Sequence, residues 1–201
     1  AAPAATEAEP AEEVRVRLVS IAERLVSLCQ PLLRPYLPEV GSIILGAARD
    51  RHAEVLKGVC AVAATLAHNV LPALVASEGG KAVQPYSSKL VEALVGHLRH
   101  RHAPVREAVL DALEPLLLCG AGASVETLVG WRLQNNVPIA EFYGKAPPRV
   151  NYLADLSRDG SVAVRRSFIR ALGTWMLKID GEHLYEQEVR LMPYLLNGVL
   201  D

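Results

Sequence analysis

Apolar residues recur at the same positions in four separate segments of the chain. The segments align on four valines, Val14, Val55, Val105 and Val164. Apolar side chains then recur four, seven, eight and eleven residues after each valine. Offsets of this kind lie on one face of an α-helix. We therefore predict four amphipathic helices, near residues 14–29, 53–70, 103–119 and 162–178.

The residues before these helices recur as well, which a chance amphipathic pattern does not predict. Asp50 and Asp159 each stand five residues before their valine, and His100 takes that place in the third copy. An aspartate there can cap the incoming helix through its carboxylate. Pro-Tyr pairs at Pro35 and Pro85 stand fifteen residues before the turn residue. This shared distance indicates a preceding helix in each copy, and hence a repeated helix pair.

The aligned valines are 41, 50 and 59 residues apart, which fits a unit of about 40 residues with insertions. One helix pair cannot bury its own apolar face, so repeats of this kind stack on one another. We predict an all-α fold, an α-solenoid (superhelix) of stacked HEAT-type antiparallel helix pairs. A solenoid exposes apolar surface where it is cut, so we expect the native chain to continue at both ends.

The predicted organisation is one solenoid over residues 13–201, after a flexible lead-in over residues 1–12. The opening AAPAATEAEPAEE has no basic start followed by an apolar core, so it is not a signal peptide. An insert at 130–149 contains Pro138, Gly144, Pro147 and Pro148, which forbid one continuous helix. The most apolar window, Val59 to Ala76, contains His68, Asn69 and Pro72. We interpret it as a buried helix running into a turn, and not as a membrane span.

Net charge and cysteine spacing narrow the classes of function that the chain can have. The net charge of −1 argues against nucleic-acid binding as the main function, although a local basic patch remains compatible with it. The three cysteines, Cys29, Cys60 and Cys119, stand apart in apolar stretches. This spacing is typical of buried free thiols in a reducing compartment, not of disulfides or a zinc site.

Motifs of enzymes and metal sites are weak in this sequence. SEGGK and GAGAS lack the spacing of a phosphate-binding loop, and they are interpreted as helix ends. His97, His100 and His102, with His52 in the preceding turn, are the best metal candidates. No cysteine or carboxylate completes that set, and the interleaved arginines disfavour a dication. We therefore predict no metal, no cofactor and no enzymatic activity.

Two charged surfaces are candidates for binding a partner. The second helices of a HEAT stack line its concave side, where the outward positions change sign from repeat to repeat. The candidate partner-binding residues are Lys57, Glu107, Asp111, Arg166 and Arg170. A second set falls in the turns within each pair, which a solenoid aligns as one basic edge able to dock an acidic segment. Its members are Arg49, Arg51, Arg99, Arg101 and Arg158.

From about Ser87 onward the chain resembles one particular family. The segments that show the resemblance are LVEALVGHLRHRHAPVREAVLDAL, SVETLVGWRL, DGSVAVRRSFIRALGTWMLKID and RLMPYLLNGVLD. They are similar to the C-terminal part of the HEAT-repeat axonemal dynein assembly factors, which share the Ser124-Val125 start, the Gly173 to Trp175 step and the Leu191 to Asp201 segment. The segment QNNVPIAEFYGKAPPRVNY departs from the family pattern and interrupts a first helix.

The resemblance implies a cytoplasmic, non-enzymatic scaffold for preassembly of the dynein arms of motile cilia. Dynein chains and chaperone machinery are the partners that it implies. The repeat geometry on its own indicates only a protein-binding scaffold. Two alternatives remain at this point: a HEAT scaffold of a transport or phosphatase type, and a nucleic-acid-binding solenoid.

Overall fold

The computed structural model describes residues 11–125, 128, 151–179, 181–185 and 187–198. Residues 1–10 of the predicted lead-in, and the insert at 130–149, lie outside the described residues. The α-helices of the described part, numbered in chain order, are α1 Glu12–Cys29, α2 Leu37–Ala47, α3 Ala53–Asn69, α4 Leu71–Glu78, α5 Gly80–Val95, α6 Ala103–Leu118, α7 Tyr152–Ser157, α8 Val162–Lys178, α9 Gly181–Tyr185 and α10 Glu188–Gly198. Three short 3₁₀ segments accompany them, at Gln30–Tyr36, Gly96–Arg99 and Gly122–Ser124. No strand occurs in these ranges, and the all-α prediction is confirmed.

Helices α1, α3, α6 and α8 coincide with the four aligned segments and pack side by side in that order. Neighbours in this layer run parallel. Glu12 contacts His52 beside the starts of α1 and α3, and Glu23 accepts a hydrogen bond from Thr65 towards their ends. Helices α2, α5 and α10 form an outer layer, in which α2 packs on α3, α5 on α6, and α10 on α8. This arrangement of stacked helix pairs is the predicted α-solenoid.

The core lies between the two layers and consists of the aligned residues. In α3, α6 and α8 each residue at the five aligned offsets is at most 2% exposed. These residues are Val55, Val59, Val62, Ala63, Leu66, Val105, Val109, Ala112, Leu113, Leu116, Val164, Phe168, Ala171, Leu172 and Trp175. The first copy differs, because Val14, Leu18, Ile21 and Leu25 on α1 are 44–54% exposed. Among the described residues, α3, α6 and α8 each have an outer helix packed against them, whereas α1 has none.

One stretch of the described chain, Ala53–Glu78, is apolar and long enough to span a membrane by composition alone. The stretch is divided between α3 and α4, which meet at Val70 just before Pro72. Half of its apolar window is buried inside the fold, and α3 packs between α1 and α6. Its apolar residues are therefore used in the core, as the sequence indicated.

The two glycine-rich segments end helices. Gly79 follows α4 with a φ of 84°, and its N–H donates to the carbonyl of Val75 at 2.8 Å. Gly120 follows α6 with a φ of 80°. A Cβ at Gly120 would lie 2.9 Å from the carbonyl oxygen of Gly80, so that position requires glycine for both its conformation and the close approach.

Trp175 is the largest side chain of the core. It is fully buried on α8, and its indole N–H donates to the carbonyl of Glu114 on α6 at 3.3 Å. Phe168, two turns earlier on the same face, makes an edge-to-face contact with Tyr194 of α10. These two aromatic side chains thus connect α8 to α6 in its own layer and to α10 in the outer layer.

Truncation of Trp175 to alanine is expected to lower the free energy of unfolding by about 3–5 kcal/mol, because it leaves a large cavity and removes the indole hydrogen bond to Glu114. Trp175→Phe should cost less, since it keeps most of the volume and loses the hydrogen bond. Urea denaturation followed by circular dichroism measures both. Leu177→Ala, at a position that is 85% exposed on the same helix, is the control and should stay within about 0.5 kcal/mol. An unchanged midpoint for Trp175→Ala would contradict the packing register.

Candidate partner-binding surfaces

Arginine–aspartate pairs join consecutive repeats at the turns within the helix pairs. Arg15 of α1 donates to Asp50 in the next turn at 2.7 Å. Arg106 of α6 makes the equivalent bidentate pair with Asp159, at 2.7 and 2.6 Å. A bidentate guanidinium–carboxylate pair fixes orientation as well as distance. Each pair therefore fixes the register of one repeat against the next.

Each aspartate also holds its own turn. Asp50 accepts the backbone N–H of His52, and Asp159 accepts that of Ser161, both at 2.8 Å. His52 and Ser161 are the N-cap residues of α3 and α8. The carboxylates thus lie two residues before the cap and bind the cap residue itself. The sequence predicted that these carboxylates cap the first turn of the helix, and in this detail the prediction is wrong.

The middle junction lacks this arginine–aspartate pair, because Leu56 and His100 occupy the two positions. His100 keeps part of the aspartate's function, since its Nδ1 accepts the N–H of His102 at 3.2 Å. The link between repeats comes instead from His97, whose Nε2 lies 2.8 Å from the carbonyl oxygen of Ala48. A hydrogen bond between a histidine ring and a backbone carbonyl therefore replaces the ion pair at this junction.

The arginines shift the acidity of both aspartates. Burial alone would raise the pKa of Asp159, but hydrogen bonds from Arg106 and from the Ser161 N–H outweigh it and hold that pKa below its ordinary value. The pKa of Asp50 is lowered by the same balance, with Arg15 and the His52 N–H as donors. Both carboxylates are therefore ionised and engaged at neutral pH.

The predicted basic edge follows these turns, and all five of its arginines are exposed. Arg99 pairs with Asp155 at 3.1 Å, and Arg101 donates to the His102 ring at 3.0 Å. The remaining three make no ion pair with any residue that the structure describes: Arg49, Arg51 and Arg158. The contact from His97 to Ala48 places two consecutive turns next to each other, and the alignment of these arginines along one side of the stack stays a prediction.

The histidines at this edge are already engaged by protein atoms. His52 pairs with Glu12 at 3.1 Å, and the rings of His100 and His102 lie 5.3 Å apart, tilted against each other. Burial, and then the neighbouring His102 and His97, lower the pKa of His100. Within the described ranges no group of three or more His, Cys, Asp or Glu side chains is placed to hold a metal ion.

The concave-face candidates occupy three helices, and part of the set meets in space. Arg170 of α8 donates to Asp111 of α6 at 2.5 Å and lies 3.5 Å from Glu114. Burial alone would lower the pKa of Arg170, but the hydrogen bond and charge of Asp111 outweigh it and raise that pKa. Glu107, one turn before Asp111, accepts a hydrogen bond from Ser167 at 3.4 Å. The acidic side chains of α6, Glu107, Asp111 and Glu114, therefore each contact a polar or basic side chain of α8.

The other two candidates stand apart from this network. Lys57 pairs within its own helix, with Glu54 at 2.8 Å. Arg166 is exposed one turn before Arg170, and it has no ion pair among the described residues. Sequence reasoning missed the contributions of Glu114 and Ser167, as well as the arginine–aspartate pairs. The repeated columns of Arg15 and Arg106, and of Asp50 and Asp159, held the signal for those pairs.

Two of the three cysteines, Cys60 and Cys119, are buried as the sequence predicted, whereas Cys29 is only half-buried. Burial, and then the charge of Asp111, raise the pKa of Cys60 to about 12. Burial raises the pKa of Cys119 too, and its thiol donates to the carbonyl of Ala67 on α3 at 3.2 Å. Thiols in such surroundings stay protonated and are poor nucleophiles.

Stacked helix pairs with charge pairs between the repeats place the chain among the α-solenoid repeat proteins. Residues 3–135 match the family model described as "Dynein axonemal assembly factor 5-like, TPR repeats". This match covers more than half of the chain, and the chain belongs to that family. TPR and HEAT repeats are both stacked helix pairs, so the description agrees with the fold.

Three curated relatives are named dynein axonemal assembly factor 5. The Xenopus laevis protein is 25% identical over 193 residues, which cover 96% of this chain and 19% of the relative. The mouse protein is 24% identical over 193 residues, with the same coverages. The human protein is 25% identical over 199 residues, which cover 99% of this chain and 20% of the relative. The chain therefore spans about a fifth of the length of these relatives.

These matches cover more of the chain than the residue patterns did. The residue patterns pointed to the family only from Ser87 onward, whereas the family model matches from residue 3. All three relatives carry the assembly-factor name, so the transport-type and phosphatase-type alternatives gain no support. No solved structure matches the chain.

The pair of Arg106 and Asp159 is expected to stabilise the stack more than the exposed pairs do, because its side chains are only 15% and 8% accessible. Asp159→Asn should cost about 3 kcal/mol, since it leaves Arg106 without its buried counterion. Asp155→Asn, at the exposed pair with Arg99, is the matched control and should cost less than about 1 kcal/mol. Chemical denaturation at pH 7 measures both values.

The ion pair of Arg106 and Asp159 predicts how the stability of the fold changes with pH. A carboxylate with a lowered pKa stabilises the fold above the ordinary aspartate pKa of 3.8. The stability difference between the wild type and Asp159→Asn should therefore shrink as the pH falls below that value, and vanish once folded Asp159 is protonated. A difference that stays constant down to pH 2 would show that this ion pair contributes nothing.

Proposed function

We propose that this chain is a non-catalytic scaffold segment that binds protein partners during the cytoplasmic preassembly of axonemal dynein arms. The single observation that carries the proposal is membership of the assembly-factor 5-like family over more than half of the chain. The names of the frog, mouse and human relatives point to dynein as the cargo. The described structure adds surfaces suited to protein binding, since side chains there are held in place by charge pairs.

The concave face is the proposed contact for the partner. Its α6 carboxylates are partly neutralised by Arg170, whereas Arg166 next to them is exposed without an ion pair in the described ranges. An acidic segment can bind Arg166 without first breaking an internal pair, so Arg166 is the preferred anchor. Binding at Arg170 requires competition with Asp111 and Glu114. Dynein chains and the chaperones that fold them are the partner classes under this proposal.

The basic edge is the second proposed contact. Arg49, Arg51 and Arg158 are exposed and unpaired within the described part of the chain. The alignment predicted for them on one side of the stack favours an extended acidic segment over a compact ligand. Electrostatic attraction of this kind speeds association and weakens as salt rises.

Charge reversal at the anchor tests the proposal. Arg166→Glu together with Arg170→Glu is expected to abolish capture of axonemal dynein chains from ciliating cells by the tagged protein, because like charges then meet. Arg166→Glu alone should lower capture at least severalfold. It should leave thermal stability within about 0.5 kcal/mol, because no internal pair is lost.

The control is Lys89→Glu, which makes the same charge change at an exposed position of the outer helix α5. Co-purified dynein chains are quantified by mass spectrometry, and folding is checked by circular dichroism. Full capture by the folded double variant would move the contact away from the concave face. Loss of capture in Lys89→Glu to the same degree would show a non-specific charge effect.

A further inference from the structure

The turn at the middle junction contains a histidine where the turns before α3 and α8 contain an aspartate. His100 stands in the position of Asp50 and Asp159, five residues before the aligned valine. Each of these three side chains accepts the backbone N–H of the residue two positions later, which is the N-cap of the following helix. In the turn before α6 this N–H belongs to His102. The three turns therefore share one contact and differ in the group that accepts it.

The contact made by His100 requires a neutral ring. Its Nδ1 lies 3.2 Å from the backbone nitrogen of His102 and accepts the N–H through the lone pair of an unprotonated nitrogen. A protonated imidazole carries a proton on both nitrogens, so the same contact would then bring two N–H groups against each other. The carboxylate of Asp159 keeps its acceptor to much lower pH, because its pKa lies below the ordinary value. The turn before α6 therefore depends on a group that titrates near neutral pH, and the turn before α8 does not.

A second ring in the same turn has the same requirement. The Nε of Arg101 donates to the Nε2 of His102 at 3.0 Å, so this nitrogen must be unprotonated as well. The rings of His100 and His102 lie 5.3 Å apart. Protonation of both rings would place two positive charges at that distance, which disfavours the closed turn. Both rings therefore support the turn only in their neutral form.

His97 responds differently, although it lies in the 3₁₀ segment that leads into this turn. Its Nε2 lies 2.8 Å from the carbonyl oxygen of Ala48, and this contact needs a proton on Nε2. A neutral ring with its proton on Nε2 supplies that donor, and so does a protonated ring. Acid is therefore expected to open the turn at His100 without breaking the link between the repeats.

The surroundings of the His100 ring disfavour its protonation. Burial is the first cause of its lowered pKa, followed by the charges of His102 and His97, and Arg101 acts in the same direction. A histidine whose pKa is lowered by folding stabilises the folded state above the ordinary pKa of 6.5. This contribution is lost as the pH falls below that value, because the unfolded chain binds the proton first. Protonation of the ring and opening of the turn are therefore coupled.

The carboxylates that neighbouring elements bring to this junction are engaged by arginines. Asp155 of α7 pairs with Arg99 at 3.1 Å. Asp159 pairs with Arg106 of α6, whose Nη1 also donates to the carbonyl of His100 at 2.7 Å. Helix α5, which leads into the 3₁₀ segment, ends in three apolar residues. Both carboxylates therefore already have partners other than the His100 ring.

We propose that the turn before α6 is an acid-sensitive switch, closed while His100 is neutral and open once it is protonated, with His97 still joining the two repeats. Arg99 and Arg101 flank His100, so opening of the turn would change the position of two members of the predicted basic edge. The proposal concerns the turn itself and does not rest on the proposed function. The two can therefore fail separately.

Solvent exchange of two equivalent amides, measured by nuclear magnetic resonance on the 201-residue chain, tests the proposal. Between about pH 7.5 and about pH 5, the protection of the His102 N–H is expected to fall at least about threefold after correction for the intrinsic exchange rate. The Ser161 N–H is the reference in the same molecule and should keep its protection, since Asp159 stays ionised over this range. The ring resonances of His100 should titrate together with the loss of protection at His102.

His100→Asn separates the acceptor from its titration. The side-chain oxygen of asparagine can accept the same N–H and carries no titrating group, so the pH dependence at residue 102 should disappear. His102→Gln is the matched control, because it removes the second ring and keeps His100. The pH dependence should remain in this variant, and its midpoint should move to higher pH, since the charge of His102 no longer lowers the pKa of His100.

The proposal is wrong if the amides of His102 and Ser161 respond to pH in the same way, or if His100→Asn responds like the wild type. It is also wrong if the His102 amide keeps its protection while the His100 ring is protonated. Loss of protection throughout α3 and α6 over the same pH range would contradict it as well, because that result would mean that the repeats separate.

Discussion

The structure depends on burying one apolar face of each second helix. A helix pair has too little surface to cover that face alone, so each pair needs the next one. In α3, α6 and α8 this cover is complete, and the aligned residues are at most 2% exposed. In α1 the same residues remain half exposed, because the described residues contain no outer helix beside α1.

Polar contacts decide how the stacked helices are aligned. Burial is non-directional and tolerates a shift of one helix along another. The pairs of Arg15 with Asp50 and Arg106 with Asp159 do not tolerate one, because their atoms must stay within hydrogen-bond distance. These contacts therefore hold the turns of consecutive repeats next to each other. The middle junction achieves the same alignment through His97, without an ion pair.

Internal charge pairing also shapes what the concave face can bind. Free charges attract any opposite partner, whereas paired charges bind only a partner that offers more than the internal contact. Arg170, held by Asp111 and Glu114, belongs to the second kind, and Arg166 to the first. Under the proposed function, a face with both kinds combines an easily reached anchor, Arg166, with a more selective neighbour, Arg170.

The sequence by itself determined the four second helices, their apolar faces and the repeated turn, because those features depend on spacings of three to eleven residues. Trp175 and Val105 were assignable to the core on that basis alone. Only the tertiary structure decided which charges pair, since Arg106 and Asp159 are 53 positions apart and Arg170 and Asp111 are 59. It also decided that Leu18 is exposed although Val109, in the same column, is buried. Burial depends on the presence of a neighbouring helix, and a local pattern carries no information about that neighbour.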